Sequence, residues 1–299
     1  MKKVSDRVYL AEHLNDDCYA SALPVVVEGD SSLILFDCGM DGYMRKQNKR
    51  DLEGTTVQQV VKLSAEKVKP VKHIFFSHAH GDHTLDAFIY GKMNSRICTH
   101  AHSKNRIPKG GRFAGFRITH PYPADTDLVL DGVKLKVITT PGHTVNGEDI
   151  SLLVADDNVL LTGDTVQPHG IPYENGKNTF MPFYTRGDDY FNSLKKILEL
   201  APEKIVTSHH GVFGMEAVET DLKTVGRTIQ LAEKLVRENP GVDKKTIIEW
   251  IFDTIGYERG VSRENVLRRR IDQETHFKRH DIHGINYFAT KAMRNGKKD

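Results

Sequence analysis

An α/β fold with a helical extension is the class this sequence predicts, and three observations predict it. Short β-rich runs alternate with helical periodicity through the first 214 residues. Histidines and aspartates gather just beyond the ends of those runs, where open α/β sheets commonly place function. After Gly214 the periodicity is helical, with no convincing strand.

The elements follow in order. RVYLA near Arg7, ALPVVVEG from Ala22 and SLILFDCG from Ser32 are β-rich and separated by Gly, Asp and Ser, so they read as neighbouring strands. TTVQQVVKLSAEKV, from Thr55, spaces Val57, Val60, Val61 and Val68 as a helix face does, and Pro70 stops it. HIFF, residues 73–76, is a buried strand. VKLKVITT from Val133, DISLLVA from Asp149 and NVLLTGD from Asn158 are further strands, followed by a helix at DDYFNSLKKILELA and a strand at KIVTS. DLKTVGRTIQLAEKLVREN, KKTIIEWIFDTIG and HGINYFATKAM are helices. The expected division is an α/β domain over 1–214 and a helical C-terminal domain over 215–299, packed on the core because no Gly/Ser/Pro linker intervenes.

Composition narrows the function classes. With 299 residues and 38% hydrophobic content, a sizeable core is available. Lys plus Arg (42) nearly balances Asp plus Glu (40), so global charge favours neither nucleic acid nor an anionic membrane. On charge alone nucleic acid is a less favoured partner and a membrane is not expected, while the oligomeric state stays open. MKKVSDRVYLAEH has no apolar run long enough for a signal peptide, and the expected location is cytoplasmic. Cys18, Cys38 and Cys98 lack CxxC spacing and read as buried thiols.

The chemistry concentrates in FFSHAHGDHTLDAF, residues 75–88. With fifteen histidines and twenty-four aspartates, His-x-His-x-Asp-His is expected by chance about 0.003 times in such a chain. His78 and His80, two apart in extended chain, point to one side and suit a single metal. Asp82 and His83, past the turn at Gly81, face a second position. Divalent ions such as zinc, manganese and iron accept this mixture of imidazole and carboxylate. Further donors stand at later strand ends: His143 in TTPGHT, Asp164 in LLTGDT, and His209 and His210 in IVTSHHG.

This order, HxHxDH, then GH, GD and a final HG, resembles the metallo-β-lactamase superfamily over residues 4 to 214. The resemblance implies a four-layer αββα sandwich with a C-terminal helical extension and a two-metal site at one edge. It implies two divalent ions, zinc foremost, with iron or manganese as alternatives. His78, His80 and His143 hold one, and Asp82, His83 and His210 the other, with Asp164 bridging. His210 is preferred to His209 because the family's ligand usually directly precedes a glycine, here Gly211; His209 is then packed or supporting. Asp37 in LFDCG matches a family Asp-x-Gly position, where it orients a ligand imidazole. His13, His73, His100, His102 and His120 match no motif.

The implied activity is hydrolysis of a small ester or thioester by a metal-bridged hydroxide, with Asp82 and Asp164 orienting it or accepting protons. A core followed by C-terminal helices is similar to the quinolone-signal response thioesterases. The alternatives are a metal-dependent phosphodiesterase or ribonuclease whose helices contact nucleic acid, and a mononuclear iron dioxygenase. Flavodiiron proteins usually carry a glutamate where His80 stands, and quorum-quenching lactonases a tyrosine where Gln167 stands. Two regions bear on specificity. The loop between Asp164 and Asp188 offers Ile171, Tyr173, Phe180, Met181, Phe183 and Tyr184 as apolar walls, with His169 or Arg186 for a carboxylate. From Gly260 onward ten Lys/Arg stand against five Asp/Glu, densest at Arg268–Arg270. The alternative for this stretch is a lid over the metals formed by His276, Arg279, His280 and His283.

Overall fold

The computed structural model describes residues 1–14, 21–91, 95–100, 118–123, 125–170, 181–261 and 282–296, with only the backbone at 91, 97, 99, 100 and 118–121. Among the described residues, two sheets lie face to face with helices on both outer faces. The first sheet runs β1 (Lys2–Lys3), β2 (Val8–Leu10), β3 (Val25–Glu28), β4 (Leu33–Phe36), β5 (Val71–Phe75), β6 (Arg96–His100) and β7 (Ile118–Tyr122) in spatial order. It is antiparallel up to β4 and parallel from β4 to β7. In the second sheet the order is β13 (Gly211–Phe213), β12 (Lys204–Thr207), β11 (Val159–Leu161), β10 (Ile150–Val154), β9 (Val133–Thr139) and β8 (Thr126–Leu130). There only β11 and β12 pair in parallel.

Strand alternation sorts each run between two cores. Val25, Val27, Ile34, Phe36 and Phe75 face the second sheet's Val133, Leu135, Val137, Ile150, Leu152, Val159 and Leu161. Their neighbours Val26, Leu33, Leu35 and Ile74 point outward and bury against Val57, Val60 and Leu63 of α2 (Thr56–Lys67). Burial on both faces is why VVV and LILF read as unbroken apolar runs. Helix α2 starts where Thr55 Oγ1 accepts from the Gln58 N–H and ends at Val68, which is left-handed, before Pro70. Short helices α1 (Asp41–Gln47), α3 (Gly81–Thr84) and α4 (Ala87–Gly91) complete the chain on this side.

The outer face of the second sheet, Ile138, Leu153, Leu160 and Ile205, belongs to one apolar cluster with α5 (Gly187–Leu200), α6 (Glu216–Glu238), α7 (Lys244–Glu258) and α8 (His283–Asn295). Val218, Val225, Ile247, Ile251, Phe252, Ile285 and Phe288 are its buried helical members. The helices after residue 214 thus form the fourth layer together with α5. None of the described helices is long and apolar enough to cross a membrane. Cys38 and Cys98 are buried free thiols, while Cys18 lies outside the described residues.

Candidate metal centre

Parallel pairing fixes where the chemistry sits. β4 and β5 end on the same edge, delivering Asp37 and the loop that carries His78. β11 and β12 likewise deliver Asp164 and His209, and β9 delivers His143. Gly163 lets the two sheets close: it is left-handed at φ 58°, and a Cβ there would lie 2.4 Å from Ser77 Cβ. Across that contact the Ile150 N–H donates to Ser77 O at 2.9 Å.

Two groups of ligand atoms result. His78, His80 and His143 form one, and Asp82, His83, Asp164 and His209 the other, with the atoms of each group within 4.8 Å of one another. In the first, His80 Nδ1 lies 3.1 Å from His143 Nε2, and the His78 ring is 4.5 Å from that of His80. In the second, Asp164 Oδ2 is 3.3 Å from His83 Nε2, while Asp164 Oδ1 is 3.6 Å from His209 Nε2. Asp82 Oδ2 lies 3.3 Å from His83 Nε2 and 3.4 Å from His209 Nε2. Asp164 Oδ2 also faces the first group, 3.5 Å from His143 Nε2 and 4.0 Å from His78 Nε2.

Hydrogen bonds on the far side of the rings set which nitrogens face inward. Buried Asp37, left-handed at φ 56°, accepts from the Ser77 N–H and hydroxyl and from His83 Nδ1, each at 2.8 Å. The Ser77 hydroxyl donates its one hydrogen bond to Asp37, so it accepts from His78 Nδ1 at 2.9 Å. His143 Nδ1 donates to Phe183 O at 3.0 Å. The Nε2 atoms of His78, His83 and His143 are thereby turned toward Asp164. The turn carrying His143 is held by buried Asp149, which accepts from the Gly142 and Thr144 N–H groups and the Thr144 hydroxyl. Burial pushes its carboxyl up to about 7.

His209, not His210, joins the second group, correcting the expectation that His210 is the last ligand. β12 and β13 form a hairpin in which Thr207 pairs with Gly211, and the His210 N–H donates to Thr207 Oγ1 at 3.2 Å. That turn directs His209 toward Asp82 and Asp164, and sends His210 away to donate from Nε2 to Gly170 O at 2.5 Å. Gly211 opens β13 rather than following a ligand. His78, His80, Asp82, His83, His143 and Asp164 are brought together in the pattern read from the sequence. The sequence does not mark Ser77 and Asp149 as site residues, and it marks Gln167 only as a departure from the lactonase tyrosine; Ser77 in particular acts on Asp37, 40 residues away.

The donor set fits metal. His78 Nε2, His83 Nε2, Asp164 Oδ1 and both ring nitrogens of His209 are buried with no aligned hydrogen-bond partner. Burial holds His78 well below the usual histidine range and lowers His143 too, keeping both rings neutral. In the second group burial opposes charge, but Asp164, Asp82 and Asp37 raise His83 well above that range. His209 is raised to about 9, the carboxylates Asp164 and Asp82 overcoming burial. Reciprocally, His83 and His209 hold Asp82 and Asp164 well below the carboxylate range against their burial. Positive charge is thus favoured at the centre of the second group, as a divalent cation would supply.

The loop after Asp164 divides. Met181 and Tyr184 sit in the helical core, pinning the loop. Phe183 instead stands beside His143, ring centroids 5.1 Å apart, and its ring also meets that of His283 of α8 at 5.4 Å. Arg186 pairs with Asp189 at 2.5 Å, and His169 lies against His210 and Phe213. Ile171, Tyr173, Phe180, His102, the Arg268–Arg270 run, His276, Arg279 and His280 lie outside the described residues, as do the side chains of His100 and His120.

A profile of the metallo-beta-lactamase superfamily matches residues 21–209. A lactamase-like protein nscB of Trichophyton rubrum is 29% identical over 119 residues, 40% of this chain and 33% of its own length. A beta-lactamase-like protein 2 homolog of Caenorhabditis elegans is 27% identical over 155 residues, 50% of this chain and 46% of its own. The matched stretches thus span less than half of these curated relatives. In fold, the chain is similar to a metallo-beta-lactamase family protein from Thermus thermophilus, with TM-score 0.59 and 15% identity over 97% of this chain and 94% of that one. It is also similar to a metallo-beta-lactamase from Pontibacter korlensis, with TM-score 0.57 and 13% identity over 75% of this chain and 97% of that one. With the profile spanning more than half of its length and the histidine–aspartate groups in place, the chain belongs to the metallo-beta-lactamase superfamily, whose members are mostly hydrolases.

Proposed function

We propose that the chain is a dinuclear metal-dependent hydrolase of small esters or thioesters. The observation that carries this reading is the pair of adjacent ligand groups with Asp164 facing both. His78, His80 and His143 would hold one ion, and Asp82, His83, His209 and Asp164 the other. When bound, divalent ions here, zinc foremost and iron or manganese otherwise, supply Lewis acidity and acidify water.

The protein's own groups divide the remaining work. Asp164, with its side chain 5% exposed, is fixed among imidazoles and serves to hold. Asp82, 27% exposed, is the carboxylate with access to substrate, and it orients water there or accepts its proton. Phe183 presents an apolar face beside His143, which suits an acyl group better than a phosphate and keeps water from that side. The helical layer reaches the same rim through His283, which is where a lid over a small substrate would be anchored.

The test is turnover by zinc-, manganese- and iron-loaded protein on matched acyl thioesters and esters beside phosphodiesters and short RNA, with Asp82→Ala as control. Acyl turnover that disappears in the control supports the reading. Dominant phosphodiester cleavage would overturn the substrate class, and full activity with full metal content in Asp82→Ala would overturn the second metal position.

A further inference from the structure

We propose that Gln167 and Asp221 are positioning residues that tie the metal-holding loops to the C-terminal helices, an inference that rests on the metal reading above. Gln167 is buried, three residues beyond Asp164, and its amide is fully engaged. Oε1 accepts from the Phe183 N–H at 2.9 Å. Nε2 donates to Phe183 O at 3.0 Å and to Asp164 O in a short contact. Phe183 O is the same carbonyl that accepts the hydrogen bond from His143 Nδ1. One amide thus joins the backbone of Asp164 to the acceptor that fixes the His143 tautomer and ring direction.

The brace does not end within residues 21–209, the stretch that matches the superfamily. The Gln167 N–H donates to Asp221 Oδ2 of α6 at 2.5 Å. Arg259, at the end of α7, donates from Nη2 to Pro168 O at 2.6 Å and from Nη1 to Thr224 Oγ1 of α6 at 2.9 Å. His210 holds the next stretch of the loop through Gly170 O. Residues of α6 and the end of α7 therefore grip consecutive residues, Gln167 and Pro168, just beyond Asp164, and Gln167 passes their position to Phe183 and His143. A rigid support of this kind keeps Nε2 of His143 aimed at the ion as the helices pack.

Cobalt(II) titration of the full chain tests this, read by visible absorption and by competition with a chelator, with folding followed by far-UV circular dichroism. Gln167→Met keeps the side-chain volume and removes both the donor and the acceptor. It is expected to alter the cobalt spectrum and weaken cobalt binding on the order of tenfold or more at unchanged helix content. Asp221→Leu should shift spectrum and affinity the same way, whereas Asp221→Asn, which keeps an acceptor for the Gln167 N–H, should restore the wild-type values. A folded Gln167→Met protein with wild-type spectrum and affinity would overturn the brace. Wild-type behaviour in Asp221→Leu would overturn the link to the helices. Should Asp221→Leu fail to fold, Arg259→Met, altered at a partly exposed position, gives the same decision through Pro168. If the wild-type chain itself took up no cobalt, the metal reading would fall, a result distinct from an unchanged variant of a cobalt-binding protein.

Discussion

His209 and His210 have the same side chain one residue apart, and only the hairpin turn between Thr207 and Gly211 tells them apart. His209 lies within 3.6 Å of both Asp82 and Asp164, whereas the ring of His210 is spent on a loop carbonyl. His209→Ala is therefore expected to lower metal content by about one equivalent and to abolish turnover. His210→Ala should keep full stoichiometry and lose only loop support. Metal analysis of the two dialysed variants decides, and loss of metal from His210→Ala with retention in His209→Ala would reverse the assignment. His78, His80, Asp82, His83, His143 and Asp164 were legible because the strand before each could be read, and a strand end places its next residues on the sheet edge. The last position was illegible because it turns on β13, three half-buried residues with no pattern of their own. Ser77 and Gln167 act through partners as far off as Asp37 and Asp221, distances over which local spacing carries no signal, whereas Asp149 holds the nearby Gly142–Thr144 turn and has no motif of its own.

At the level of elements, the sequence predicts best the strands that are buried on both faces. VVV, LILF and the later apolar runs announce themselves because each residue enters one of two cores. β8 was missed although its signal was present: Asp131 and Gly132, both at positive φ, join it to β9 as an Asp-Gly hairpin turn. β6, β7 and α1 carried no comparable mark. What the strands could not reveal is how closely the two sheets approach, and Gly163 sets that distance. Gly163→Ala must fit a methyl 2.4 Å from Ser77 Cβ in a left-handed backbone. The backbone conformation alone costs about 1 kcal/mol, and displacing Ser77 should bring the loss to roughly 2–4 kcal/mol. Urea denaturation measures it, and a loss under about 0.5 kcal/mol would show that the sheets part freely. Because Ser77 also carries His78 and Asp37, the same variant should bind metal more weakly.

Over the whole molecule, the helical layer and the sandwich share one apolar cluster, and Asp221 is a buried carboxyl set between them. Its carboxyl is pushed up to about 7 by burial, which outweighs the Gln167 N–H and Arg259. In the unfolded chain the same group titrates near its ordinary value of about 3.9. Below about pH 4 both states hold the proton, and its contribution to stability is fully present. As pH rises toward about 7 the unfolded chain has released the proton that the folded chain retains, so the contribution falls, and above about 7 it is gone. At about 1.4 kcal/mol per unit the change across this window is at most on the order of 4 kcal/mol. Asp82 and Asp164 act in the opposite sense, since their depressed carboxyls lose stability as pH falls. Wild-type stability alone therefore mixes the two trends, and the informative quantity is its difference from Asp221→Asn, in which the acid-side groups cancel. Relative to that variant, the wild type should lose stability steadily between about pH 4.5 and 7 and level off beyond. Chemical denaturation of both proteins across that range is the measurement. A difference independent of pH would mean that Asp221 is already ionised in the fold, with Arg259 rather than burial governing its charge.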